Sequence, residues 1–418
     1  MRTAALVAML ALTCAWPASA RTPEQVAEAA LRAAPVWDGH NDVPIQLRQR
    51  DKNVIAQFDF HDTTDTADPA NKRIAMQTDI ARLRKGRVGA QFWSVYVSAQ
   101  LDDRQAVQAT IEQIDVTKRL IARYPQDLEY VTSAAGAEAA MKRGRVASLM
   151  GMEGGHSIGG SLAVLRQMYA LGARYMTLTH SKALPWADSA TDAPKNDGLN
   201  DFGRDVVREM QRIGMLVDLS HVSEATMIDA LDVARAPVMF SHSGARAVTA
   251  HPRNVPDTVL DRLKANDGIV MVVTLPSYVS EAVWDWSSRR SAEQARLADR
   301  HPEDPKAVEA GIAEWTTANP APRATMQQLA DHVDHITKRA GVDHVGVGGD
   351  FDGMSSFVEG FEDVGGYPAL FAELARRGYS QADLEKIASR NMLRVMRGAE
   401  AYAAAHKADP PIESATTF

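Results

Sequence analysis

Cysteine is all but missing: Cys14 is the only one in 418 residues, and it falls inside an N-terminal segment that reads as removable. Without a second thiol there can be no internal disulfide, and once that segment is gone no thiolate nucleophile remains. A basic excess is missing as well. Lys and Arg total 46 against 53 Asp and Glu, for a net charge of −7, so no positive footprint exists for a phosphate backbone and nucleic acid is excluded as an expected partner. The 27 Gly and 19 Pro are dispersed, which leaves no low-complexity tract and no linker to divide the chain. Past the N-terminus no apolar run reaches the roughly 18 residues of a membrane span. What is present is 45% hydrophobic and 24% charged, ordinary globular composition expected to build a single domain over residues 21–418.

The first twenty residues differ from the rest. Met1-Arg2 is a short basic start, residues 4–16 are an apolar run, and Ala18-Ser19-Ala20 offers the small residues of a cleavage site. This predicts a secretory signal over residues 1–20 and an exported, periplasmic or extracellular product. Thr13 is larger than the residue that usually precedes a lipidated cysteine, so a lipid anchor at Cys14 is not expected.

After the signal, Thr22-Pro23-Glu24-Gln25 supplies an N-cap, a Pro at the first helical position and a box partner three residues on, which predicts a helix through Arg32. Eight short apolar runs then follow, at 35–42, 88–97, 146–153, 174–180, 215–221, 237–242, 268–275 and 344–350. Between them lie stretches apolar at helical spacing, among them 162–170, 201–213, 224–234 and 325–340. Alternation of buried strand and helix predicts a parallel sheet, and eight repeats predict an α/β fold of the (β/α)8 TIM-barrel type. A doubly wound open sheet competes with it, but no G-x-G-x-x-G follows the first run. Run after run closes on a group that binds metal or moves protons: His40 and Asp42, Glu153, His180, His221, His242, Asp350. A barrel would bring these edges to one mouth, at the C-terminal ends of the strands. Residues 276–323, rich in charge and holding Trp284, Trp286 and Trp315, are too long for an ordinary loop and predict a partly helical insertion near that mouth, a candidate lid.

His40 and Asp42 stand two apart, so on an extended strand end both project to the same face. One such pair is a weak signal, and any one of these histidines could be a hydrogen-bonded core residue. Several ending the strands of one barrel are a stronger signal. Glu153, closing the buried run Met150-Gly151-Met152-Glu153, would cost several kcal/mol if left unpaired, on the order expected for a buried charge, and a metal is its natural partner. Two imidazoles and a carboxylate could hold one zinc. His40, Asp42, Glu153, His221 and His242 supply donors for two if a carboxylate bridges, and Glu153 is the best placed to do so. Two metals about 3.5–4 Å apart would bring the pKa of a trapped water toward about 7, so hydrolysis is the implied chemistry. His332 and His335, on a helix whose apolar line is Met326, Leu329, Val333 and Ile336, read as solvated or as supporting a ligand from behind. His61, His301 and His406 read as surface residues, and His156 and His251 as loop residues near the motifs.

Taken together, Trp37-Asp38-Gly39-His40-Asn41-Asp42, Gly151-Met152-Glu153-Gly154, Leu178-Thr179-His180, Asp218-Leu219-Ser220-His221-Val222-Ser223, Phe240-Ser241-His242-Ser243, Arg253-Asn254-Val255-Pro256-Asp257 and Gly348-Gly349-Asp350-Phe351-Asp352-Gly353 resemble the membrane (renal) dipeptidase family of zinc hydrolases. The resemblance runs in order from about residue 35 to 397. It implies an amidohydrolase-like barrel with two Zn2+ per chain, cleaving small dipeptides to free amino acids by attack of a metal-bridging hydroxide on the peptide carbonyl. Carried over by position, it implies that His40, Asp42 and Glu153 bind one zinc, that Glu153, His221 and His242 bind the other, that His180 and Arg253 contact substrate, and that Asp350 contacts substrate and acts as the acid/base. The 276–323 segment is longer than the resemblance suggests for mammalian members, which leaves the substrate range open. The C-terminal residues 409–418 lack the apolar tail of lipid-anchored forms.

The chemistry of a dipeptide agrees with these roles. Its scissile carbonyl is flanked by an ammonium and a carboxylate, so selecting it needs an electrophile for the carbonyl and a fixed cation beyond. Arg253, eleven residues past His242 on a Pro-bracketed loop, offers a planar fork for the carboxylate. Asp352 rivals Asp350 but lies further past the strand end, where a loop-capping role is expected. A two-zinc amidohydrolase acting on N-acyl amino acids, lactams or other small amides is the alternative, since loops remake a barrel mouth. A zinc-holding binding protein without turnover is a third, against which Asp350 beside a full ligand set argues. The preferred side chains and the oligomeric state, a homodimer included, stay open at this level.

Overall fold

The computed structural model describes residues 21–413, so the expected signal segment lies outside the described residues. The helix Pro23–Ala33 opens the described chain. Its Thr22 hydroxyl accepts from the Gln25 amide and the Gln25 side chain accepts from the Thr22 amide, the reciprocal cap that the sequence spells.

Strands follow in the order β1 (Val36–Asn41), β2 (Val88–Ser94), β3 (Leu128–Tyr130), β4 (Val146–Glu153), β5 (Ala173–Thr177), β6 (Leu216–Asp218), β7 (Met239–Ser243), β8 (Ile269–Val272) and β9 (Val345–Val347). All pairings are parallel. β1 pairs with β2 on one side and β9 on the other, and β2 pairs directly with β4, so the ring β1-β2-β4-β5-β6-β7-β8-β9 closes. An open sheet is thereby excluded, and each of the eight apolar runs contributes one ring strand. β3 stands outside the ring, against the first residues of β4, whose edge β5 takes over from Met150 onward. β1, β2 and β4 are buried at every position, as a parallel sheet covered on both faces requires.

The helical stretches fall where the periodicity places them, at Leu162–Leu171, Asp201–Ile213, Glu224–Val233 and Met326–Ala340. Ser161, Asn200, Ser223 and Thr325 each cap one of these with a side-chain oxygen on a first-turn amide. Residues 276–323 form three helices, Pro276–Val279, Glu281–Arg300 and Pro305–Ala318. The two long ones are joined by Trp286 and Trp315, whose rings lie 5.9 Å apart. The short first one meets the barrel mouth. No helix among the described residues is long and apolar enough to cross a membrane.

Candidate metal centre and substrate cavity

The C-terminal strand ends converge as a barrel demands. His40, in β1, is fully buried, with Nδ1 2.8 Å from the Tyr175 hydroxyl of β5. Tyr175 reaches it only because Gly151 of β4 lacks a side chain: a Cβ there would sit 2.0 Å from a carbon of the tyrosine ring. His40 Nε2 lies 3.4 Å from Asp42 Oδ2, 3.4 Å from Glu153 Oε2 and 4.0 Å from Asp350 Oδ1. Asp38 ties this strand end to the end of β9, accepting from the amides of His40 (3.1 Å) and Gly349 (2.9 Å).

Glu153, at the last position of β4, divides its carboxylate. Oε2 faces His40 and takes a hydrogen bond from the Ser94 hydroxyl at 3.2 Å. Oε1 lies 2.9 Å from His221 Nε2, 3.5 Å from His242 Nε2 and 3.7 Å from His180 Nε2. The two nitrogens of His221 and His242 are themselves 3.0 Å apart. Two donors on one tetrahedral zinc stand about 3.3 Å apart, so these separations are those of groups facing a shared cation. His40 Nε2 and Asp42 Oδ1 are buried with no hydrogen-bond partner, which costs free energy unless something cationic fills the gap. The donor set fits divalent metal on both counts.

Three groups have all their ligand atoms within 4.8 Å of one another: His40 with Glu153 and His242, Glu153 with His180 and His221, and His40 with Asp42 and Asp350. This partition departs from the one implied by resemblance, because His242 also sits against His40, with ring centroids 4.0 Å apart. Glu153 belongs to two of the groups under either division.

The electrostatics show the same demand for positive charge. Burial alone would keep His40 neutral, yet Tyr175, Glu153 and Asp42 outweigh it and hold its pKa well above the usual value. Burial would raise Glu153, but His40 and the hydrogen bond from His221 hold it well below. His221 and His242 are pushed well down, first by burial and then by neighbouring positive groups that include Arg253, which favours the neutral imidazoles. Asp350 is pushed well up, first by burial, with the charges of Asp42 and Glu153 adding to it against His40.

Two of these residues reach the site through unusual backbone. His221 and Asp350 have φ of 70° and 62°, the left-handed region, each three residues after its strand ends. Asp352 (φ 68°) is the loop residue its position suggests: its Oδ1 accepts from the Gln77 amide at 2.9 Å, and its own amide donates to Gln77 Oε1 at 2.5 Å.

The donors line a cavity of about 490 Å3, inside the roughly 300–1,000 Å3 range of small-molecule sites. Arg253 lines it too. Its side chain is 1% exposed, Nε and Nη1 have no hydrogen-bond partner, and Nη2 only approaches the His242 carbonyl at 3.5 Å. Tyr278, from the short helix Pro276–Val279, lies 5.4 Å under the guanidinium, and its ring stacks on His251, which also touches Trp284. So His251 braces the Arg253 loop, and the 276–323 segment contributes Tyr278 to the cavity wall.

The reading of His332 as solvated or as backing a ligand needs correction. It is fully buried, accepting from the Ala245 amide at 2.8 Å and facing the Val279 carbonyl at 3.1 Å, and it fastens the loop after β7 to the Pro276–Val279 helix. His335 is partly exposed and pairs with Asp257 at 2.7 Å. Tyr96, whose ring lies 4.9 Å from His180, and Gln46 also line the cavity and were not singled out from the sequence.

A closed (β/α)8 barrel that gathers four imidazoles and three carboxylates at the C-terminal ends of its strands, beside a buried guanidinium, defines a metallohydrolase scaffold. The chain belongs to the membrane dipeptidase family (peptidase family M19), whose profile matches residues 24–410. It is 40% identical over 393 residues to an uncharacterised dipeptidase of Schizosaccharomyces pombe, covering 91% of this chain and 84% of that one. It is also 40% identical over 390 residues to dipeptidase 3 of Rattus norvegicus, covering 92% and 69%. Among solved structures, the probable dipeptidase PvdM of Pseudomonas aeruginosa shares the fold with a TM-score of 0.75 at 24% identity, over 91% of this chain and 99% of that one. The protein is thus a metallo-dipeptidase by family.

Proposed function

We propose that the protein is an exported dipeptidase that holds two Zn2+ per chain, with His40, Asp42, Glu153, His221 and His242 as ligands and Glu153 as the bridge. One juxtaposition carries the reading: a cluster of donors built around a divided carboxylate shares a single cavity with Arg253, a buried cation whose Nε and Nη1 find no hydrogen-bond partner. The first suits a scissile carbonyl and the second a nearby carboxylate, and a dipeptide presents both. Bound there, the zinc pair would supply Lewis acidity toward the carbonyl and make a trapped water nucleophilic near neutral pH.

The protein's own groups do the rest. Asp350, whose raised pKa makes it a stronger base than an ordinary carboxylate, takes the proton of the attacking water and returns it to the leaving amine. With His180 Nδ1 accepting from the Ser181 hydroxyl at 3.2 Å, the imidazole can donate from Nε2 to the oxygen that becomes negative. Burial keeps that ring neutral, so it serves as a hydrogen-bond donor and not as a competing cation. Arg253 forks the substrate's C-terminal carboxylate. The test is a panel of L,L and L,D dipeptides with zinc supplied, assayed beside an N-acyl amino acid. Dipeptides should turn over and the N-acyl compound should not. Turnover of the N-acyl compound alone would replace this reading with the broader amidohydrolase one.

A further inference from the structure

What decides which nitrogen of His242 carries its proton lies behind the ring, in residues outside the cavity lining. Asp218, the last residue of β6, is fully buried, and four donors converge on its carboxylate. The amides of Ser220 (3.1 Å) and Ser241 (2.8 Å) meet Oδ1. The hydroxyls of Thr177 (2.5 Å) and Ser241 (2.6 Å) meet Oδ2. Ser241 has one hydroxyl proton, and Asp218 takes it. The same Ser241 oxygen lies 2.8 Å from His242 Nδ1, so across that contact it can only accept, and Nδ1 must be the N–H. Nε2 is then left bare, facing Glu153 Oε1 at 3.5 Å and His221 Nε2 at 3.0 Å.

The opposite tautomer is a real competitor in the metal-free protein, because an Nε2–H on His242 could donate to His221 across that same 3.0 Å. We infer that Asp218, acting through Ser241, is a positioning residue that locks His242 as the Nδ1–H tautomer and so presents Nε2 as a metal donor. The inference rests on reading His242 as a ligand. An acid backing a metal-bound imidazole usually acts by direct contact. Here a hydroxyl stands between, which makes the effect depend on the direction of one serine proton.

That direction can be reversed. The two backbone amides on Oδ1 would hold the carbonyl of an Asp218→Asn side chain in place and leave its NH2 at the Oδ2 position, facing Ser241. The amide would then donate to the serine oxygen, the serine proton would turn to His242 Nδ1, and the imidazole proton would move to Nε2.

The experiment uses the full mature chain with 15N-labelled histidine, stripped of metal, with two-bond 1H–15N correlation reading each ring's tautomer and His242→Asn assigning the signal. Wild type should show His242 as Nδ1–H and Asp218→Asn should show it as Nε2–H. Zinc affinity, measured by competition with a chromophoric chelator, should fall roughly 10- to 100-fold at one site in Asp218→Asn, with the other unchanged. A wild-type His242 in the Nε2–H form overturns the proposal, and so does an Asp218→Asn protein that keeps Nδ1–H. If Asp218→Asn does not fold, the wild-type tautomer decides alone. Should His242→Asn leave both zinc affinities intact, the metal assignment fails while the tautomer result still judges the relay.

Discussion

Replacing Arg253 with Met should make the protein more stable and less active at once. The guanidinium is 1% exposed, with Nε and Nη1 unpartnered. A buried polar group without a partner costs about 1–3 kcal/mol, and more when it is charged. The contact with Tyr278 at 5.4 Å returns part of that, on the order of 0.5–2 kcal/mol for a cation over a ring. Methionine fills much of the stem's space and asks for no partner. The net expectation is a gain of about 1–2 kcal/mol in the free enzyme, read as a higher urea midpoint at unchanged slope. Substrate binding moves the other way. Losing a bidentate, charge-assisted contact of about 1.5–3 kcal/mol should lower kcat/KM roughly 10- to 150-fold. Arg253→Lys keeps the charge without the fork and should recover only part of this. A dipeptide amide, which has no carboxylate, should be handled by wild type about as poorly as the variant handles the free dipeptide, and the two losses should not add. Additive losses would remove Arg253 from the substrate site. A Met variant less stable than wild type would show that the protein already satisfies this cation.

Glu153→Ala should lower the metal content from two per chain to one or fewer by elemental analysis, and retention of two would refute the bridge. Asp350→Asn should keep the metals and lose roughly 10²- to 10⁴-fold in kcat with little change in KM, while Asp352→Asn should stay near wild type; the reverse pattern would exchange their roles. His332, pushed down to about 4 chiefly by burial, adds stability that is fully present above its unfolded value near 6.5 and is lost as pH falls toward 4, by up to about 3 kcal/mol. His332→Gln should therefore flatten the pH dependence of unfolding of the metal-free protein over that interval, and an unchanged slope would refute it.

The barrel was legible because the ring strands are largely buried on both faces and read as short, mostly apolar runs. β3 was not. Leu128-Glu129-Tyr130 is three residues long, is buried only at Leu128 and leans on the edge of β4, so it carries neither alternation nor a run. The donors at the strand ends could be read because a carboxylate or imidazole closing an apolar run is conspicuous. Their supports were hidden: Tyr175 sits mid-strand, and only the closed barrel shows that it crosses Gly151 to reach His40. Asp218 did offer a signal. An acid after Leu216-Val217 with no basic neighbour must find donors, which is the reasoning applied to Glu153 and not extended to it. His332 was legible too, since it lies three residues after Leu329 and four before Ile336, on the stripe that the helix buries.

The positions that defeat local reading are also those where the chain adopts costly states. His221 and Asp350 hold left-handed backbone, worth about 1–3 kcal/mol of strain each, and a glycine at either place would relieve it. It would also remove the group the turn delivers. A strand continued in extended form would send alternate side chains into the barrel wall, whereas a left-handed residue after β6 or β9 swings the chain so that the imidazole and the carboxylate face the mouth. Asp42, Glu153 and Asp350 then crowd around His40, with the buried guanidinium of Arg253 lining the same cavity. A buried carboxylate cluster of this kind opposes folding, and burial first, with the like charges of Asp42 and Glu153 adding to it, holds Asp350 at a raised pKa. Metal held by Asp42 and Glu153 would relieve the repulsion between them. All three are acids in the same cavity, so the proposed division, in which Asp42 and Glu153 hold a cation and Asp350 moves a proton, would rest on where the backbone at the strand ends places each one.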